Sequence, residues 1–146
     1  MSDIVIRVAN ANDAYLIRSI DDEYEYDKYS VGLIEKSLED DFTVNFVAEK
    51  DGVAIGYISA TIIFQECNIL KIVVSKNNRQ EGVATKLLQY TMQYAKSYGV
   101  ETVFLEVRQS NNVAKSFYEK NGFTLKYQRK KYYDDGEDAD IYYFYL

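Results

Sequence analysis

Glu106, in Leu105-Glu106-Val107-Arg108, and Tyr118, in Phe117-Tyr118-Glu119, place a carboxyl group and a phenol twelve residues apart. A carboxylate can accept a proton and a phenol can donate one. One strand earlier, Arg79-Gln80-Glu81-Gly82-Val83-Ala84-Thr85 follows the apolar run Ile72-Val73-Val74-Ser75 and opens a helical pattern, which is the context a phosphate-binding loop requires. The order offers an anchored phosphate and, one strand later, an acid and a phenol to work on what the phosphate carries. The chain has no histidine, so Ser-His-Asp and Cys-His nucleophile systems and two-histidine metal sites are excluded. Proton chemistry falls to carboxylates, tyrosines, lysines or water, and no metal site is expected.

Each of these residues has a plainer reading beside the chemical one. Gly82 could leave first-turn N–H groups and the positive dipole end of a helix facing an anion, or it could simply start that helix. The helix itself is firm: Ala84, Leu87, Leu88, Met92 and Ala95 form one apolar stripe, and Gly99 stands where a left-handed terminator belongs. Alternation along a strand puts Glu106 on one face with Phe104 and Arg108, so an ion pair with Arg108 is open to it as well as proton transfer. Tyr118 is one of fifteen tyrosines and could be an ordinary core or rim aromatic. Asn111 reads first as a helix N-cap. Cys67, the single cysteine, cannot form an internal disulfide and reads as a small apolar side chain opening a strand.

Arg79-x-x-Gly82-x-Ala84 resembles the acetyl-coenzyme A pyrophosphate loop of the GCN5-related N-acetyltransferases (GNAT). Leu105-Glu106-Val107-Arg108-Gln109-Ser110-Asn111, Phe117 to Phe123, and Tyr132-Tyr133 followed by Asp138-Ala139 are similar to the RimI type of that family, which acetylates the N-terminal alanine of a small-subunit ribosomal protein. The resemblance implies acetyl-coenzyme A as cosubstrate, Glu106 as general base and Tyr118 as general acid. It implies a cofactor surface of Ile72, Val73, Val74, the loop from Arg79 to Thr85, and Asn111, and a thioester entering between two splayed parallel strands. That type often has a Pro-Trp-Ser-like segment where this chain has Lys28-Tyr29-Ser30. Acetylation of a small amine or a lysine side chain, or an idle coenzyme A binding module acting through a partner, are the alternative readings.

The elements expected to position these residues make a single α/β domain over residues 1–146, a mixed central sheet flanked by helices. Strands are expected near Ile4–Val8, Thr43–Ala48 and Ala54–Phe64, the last two joined by a hairpin turn at Asp51-Gly52. Helices follow from about Asn12 to Asp21-Asp22-Glu23, and over Val31–Leu38 with Ser30 as N-cap. A strand from Ile69 to Val74, the helix after Gly82 and a strand from Val103 to Val107 should form a right-handed parallel crossover. A short helix stopped by Asn121-Gly122 precedes a hairpin of Phe123–Tyr133 with Ile141–Tyr145.

Net charge is −6, and it is uneven: residues 1–50 hold twelve Asp or Glu against five Lys or Arg, and Asp134 to Asp140 adds five acids. Such a surface disfavours nucleic acid and would suit a basic peptide, unless these are only solubility charges. Lys126, Arg129, Lys130 and Lys131 read as an exposed strand face. No apolar run approaches the roughly 20 residues that cross a bilayer, and Met1-Ser2-Asp3 opens no signal peptide, so a cytoplasmic protein without membrane partners is expected.

Overall fold

A computed structural model of the chain describes residues 3–24 and 27–146. Seven strands form one sheet in the order β1-β2-β3-β4-β5-β7-β6. The strands are β1 (Ile4–Val8), β2 (Thr43–Lys50), β3 (Val53–Ile63), β4 (Glu66–Val74), β5 (Thr102–Arg108), β6 (Thr124–Arg129) and β7 (Ala139–Tyr145). Helices α1 (Ala14–Asp21) and α2 (Val31–Glu39) precede β2, α3 (Val83–Ser97) joins β4 to β5, and α4 (Asn112–Lys120) follows β5. Among the described residues only β4 and β5 run parallel; every other neighbouring pair is antiparallel.

Local chemistry explains the boundaries. The Ser30 hydroxyl accepts from Leu33 N and starts α2, and the Asn111 side chain accepts from Ala114 N and starts α4. Asp51 and Gly52, at φ 55° and 76°, make the mirror-image turn that suits the twist of a two-residue hairpin. The 3₁₀ turn Ala11–Asp13 carries a capping box from Asn10, and the Arg7 guanidinium forks onto Asp13, holding that carboxyl below its ordinary pKa.

Two expected boundaries differ by three residues or more. β4 starts at Glu66 rather than Ile69, because Cys67 and Ile69 face the core while Glu66 and Asn68 alternate outward. β6 ends at Arg129 rather than Tyr133. Lys131 takes φ 51°, and the Asp138 carboxylate accepts its N–H and pairs with Lys130, so side chains rather than a ladder close the 130–138 loop.

The sheet separates two apolar layers. On one face Ile17, Ile20 and Ile34 of α1 and α2 pack with Val47, Tyr57 and Val73. On the other, Val83, Leu87, Leu88 and Ala95 of α3 and Tyr118 of α4 pack with Ile58, Leu105, Val107 and Tyr142. Gly56 lets α3 settle on β3: a Cβ there would lie 3.0 Å from Val83 Cγ1, 3.1 Å from Leu87 Cδ1 and 3.3 Å from the Val73 carbonyl oxygen. Gly56→Val should therefore cost about 1–3 kcal/mol by overpacking. Denaturant unfolding checks this, with a lower midpoint and an unchanged m-value expected.

Candidate active site

β4 and β5 pair only from Glu66↔Thr102 to Ile69↔Leu105. Leu70 is an extra residue on β4, since Ser59 faces Lys71 while Ala60 faces Ile69. Such a bulge bends its strand. From there β4 runs to Val74 with no strand paired to it on that side among the described residues, and a slot opens between it and the end of β5.

The edge of the slot carries backbone groups that need partners. Ser75 N–H donates to Ile55 on β3. By ladder alternation Val73 also bonds toward β3, and Ile72 and Val74 turn their N–H and C=O into the slot. The Tyr24 hydroxyl takes both groups of Val74, accepting from its N–H at 3.0 Å and donating to its carbonyl at 3.1 Å. Arg79 Nε donates to the same carbonyl at 3.2 Å, with its guanidinium 4.5 Å from the Tyr24 ring. Lys76 N–H donates to the Glu23 carboxylate, so the exit of α1 is fastened along the end of β4.

The loop into α3 is tightly curled. Gln80 and Gly82 both take left-handed backbone, φ 65° and 80°. Such curled segments turn successive N–H groups to one side. Gly82 is the N-cap and offers no side-chain bond, and Lys86 N–H is the donor to its carbonyl. The N–H groups of Val83, Ala84 and Thr85 therefore have no intrahelical partner and face outward with the positive helix end. Glu81 turns to Lys50 at 3.6 Å and accepts from Asn78.

Glu106 is half-buried on β5, on the face opposite its buried neighbours Leu105 and Val107. Tyr132 lies against it, and the carboxylate raises that phenol's pKa. Tyr133 is pushed up to about 12 by burial, then by Asp27 and Glu106. Tyr118 belongs to the layer on the other side of the sheet, between the rings of Phe117 and Phe123 at 5.1 and 5.6 Å. Burial raises its pKa well above the ordinary 10.0, so it stays a protonated phenol. The acid and the phenol thus stand on opposite faces of the sheet.

The acidic runs flank this region, but most of their charges are already used. Asp21, 1% exposed, pairs with Lys71 at 2.7 Å, and burial pushes the Lys71 pKa down while Asp21 opposes that shift. Asp22 pairs with Arg18 and Lys28. Arg108 gathers Asp27, Asp135 and Glu137 at 2.8–3.0 Å. Glu25 and Tyr26 of the first run lie outside the described residues. Tyr24, Asp27 and Lys71 are not evident as site residues in the sequence reading. Lys71 had a signal, since a lysine inside Ile69-Leu70-Lys71-Ile72-Val73 needs a buried partner.

The acetyltransferase (GNAT) family profile matches residues 11–123 of this chain. The chain belongs to that family. An N-alpha-acetyltransferase of Saccharolobus solfataricus is 31% identical over 94% of this chain and 90% of its own length. A putative ribosomal protein bS18-alanine N-acetyltransferase of Bacillus subtilis is 33% identical over 71% of this chain and 70% of its own. The crystal structure of the ribosomal-protein-S18-alanine N-acetyltransferase from Escherichia coli superposes with a TM-score of 0.89 at 24% identity, covering 99% of this chain and 94% of that one. As a GNAT protein the chain is an N-acetyltransferase, and GNAT enzymes draw the acetyl group from acetyl-coenzyme A. Lys71→Met should cost about 3–5 kcal/mol because it strands Asp21 as a buried, unpaired charge. Thermal and urea unfolding measure that loss, and the double variant Lys71→Met/Asp21→Leu should recover most of it.

Proposed function

We propose that this GNAT enzyme acetylates the N-terminal α-amine of a protein by direct attack on acetyl-coenzyme A held in the slot between β4 and β5. The observation that carries the reading is the early end of β4–β5 pairing, which leaves slot-facing backbone groups on β4 and the Glu106 carboxylate beside one opening. The pyrophosphate would sit on the N–H groups from Gly82 to Thr85, with Arg79, Gln80 and Glu81 shaping the loop. The pantetheine arm would run along Ile72, Val73 and Val74, and Asn111 would contact the cosubstrate from the start of α4.

In the reaction the amine lone pair forms the new C–N bond as the thioester C–S bond breaks. Glu106 takes the proton of the attacking ammonium or amine, directly or through water, and Tyr118 protonates the departing thiolate. A donor N–H in the slot, that of Val74, would polarise the thioester carbonyl. A free α-amine, with a pKa of about 7.7–8.0, reaches the neutral form far more easily than lysine near 10.4, which favours the N-terminal acceptor. Relatives named for N-alpha and ribosomal-protein-alanine acetylation support the same class of acceptor. A ribosomal protein is the substrate this reading favours, and the acids left exposed around the slot would suit basic residues after the first one.

Glu106→Gln and Tyr118→Phe should each lower kcat by about 10² to 10⁴ with little change in acetyl-coenzyme A affinity. The deficit of Glu106→Gln should shrink at high pH, where the amine deprotonates unaided. Because burial lifts Tyr118 above 10.0, its ionisation should not reduce kcat below pH 10. Peptides beginning with alanine, read by mass spectrometry, test the acceptor, and acetylation confined to polyamines or internal lysines would overturn the N-terminal assignment.

Tyr24 supplies a separate check. Its hydroxyl holds the Val74 groups that the pantetheine arm would claim, so Tyr24→Phe removes two bonds from the empty enzyme alone. Acetyl-coenzyme A should bind about five- to a hundredfold tighter to that variant, the effect of two net hydrogen bonds. Calorimetric titration measures it, and weaker binding would mean that the hydroxyl contacts the cosubstrate instead.

A further inference from the structure

Asp27 is gripped by both strands that border the slot. Lys71 Nζ, from β4, donates to its backbone carbonyl at 2.5 Å, and Arg108, from β5, forks onto its carboxylate through Nε at 2.9 Å and Nη2 at 3.0 Å. Asp27 is held at φ 60°, a left-handed backbone that a non-glycine residue keeps only where its surroundings fix it. The guanidinium that binds it is only 12% exposed and spends Nη1 on Asp135 at 2.8 Å and Glu137 at 3.0 Å, while stacking 4.0 Å from the Tyr133 ring. Glu137 in turn accepts from Ser110 N–H, at the end of β5. One side chain therefore ties residues 27–30, ahead of α2, to the 130–138 loop, and it lies two residues along the same β5 face from Glu106. Tyr132 of that loop lies against Glu106 itself.

We propose that Asp27 and Arg108 form a latch that positions the acceptor: the latch fixes the two segments beside Glu106 in one arrangement, so the incoming amine meets a preformed site. This rests on the reading of Glu106 as the residue that receives the amine's proton. The latch acts through these segments and not on the cosubstrate, whose loop and helix are held by other contacts. Electrostatics alone would not keep three carboxylates together, since without Arg108 they repel; the fork geometry that lysine cannot copy sets the arrangement.

Asp27→Gly is the cleanest test, because glycine keeps the left-handed backbone and the carbonyl bond to Lys71 while removing only the carboxylate. Amide hydrogen exchange should quicken together in residues 27–30 and 130–138, and the acceptor KM for an alanine-initiated peptide should rise about tenfold. The acetyl-coenzyme A KM should stay within about twofold of the parent. Asp27→Asn keeps one acceptor oxygen for Arg108 and should recover part of the acceptor KM. Exchange that quickens in only one of the two segments would overturn the latch, and this readout does not depend on which amine is the substrate. An unmoved acceptor KM, or both KM values rising together, would overturn its positioning role. If the parent enzyme itself uses no α-amine peptide, the acceptor assignment fails while the exchange experiment still decides the latch.

Discussion

Parallel pairing between β4 and β5 ends at Ile69 and Leu105, and the arrangement of the site depends on that early end. A strand inside a sheet normally satisfies its backbone groups on both sides, and an orphaned buried N–H or C=O costs about as much as a lost hydrogen bond. The extra residue at Leu70 bends β4 away, and the groups of Val74 are met by a tyrosine hydroxyl and an arginine rather than by a neighbouring strand. Partners of that kind can be exchanged for those of an extended ligand at little net cost, which a completed ladder would not permit. Glu106 follows directly on Leu105, the last paired residue of β5, and lies on the face opposite the layer that holds Tyr118.

Charge in this protein is mainly architectural near the slot. A chain of net charge −6 could be expected to carry free acids there. Instead Asp21 is buried with Lys71, three carboxylates converge on Arg108, Asp138 pairs with Lys130, and Asp140 pairs with Lys115. Replacing one member of such a cluster leaves the others repelling at short range, so these residues report on shape more than on attraction for a cationic partner. Asp134 and Glu23 remain nearer the surface, and Glu23 already accepts a backbone bond from Lys76.

Much of this was legible in the sequence wherever a residue's own chemistry dictates local structure. The apolar stripe of α3, the N-caps Ser30 and Asn111, the left-handed Gly99 and the Asp51-Gly52 turn all stand where residue type and spacing put them. The order of strands and helices followed from those signals, and the family resemblance supplied the splayed pair. What local pattern does not encode is pairing across long separations. Nothing in Tyr24 signals Val74, fifty residues away, and nothing in Asp27 signals Arg108, eighty-one away. Residues 130–133 read as strand because Tyr132 and Tyr133 have strand propensity, and the Asp138 bonds to Lys130 and Lys131 show why the ladder stops.

In the function proposed above, coenzyme A lies along the open edge of β4 with its phosphates on the start of α3. Backbone amide NMR during titration with coenzyme A tests it most directly. Val74 and the first-turn amides Val83, Ala84 and Thr85 should shift most, with α2 and β1 hardly changed. Saturable binding that leaves those four amides unmoved would contradict it.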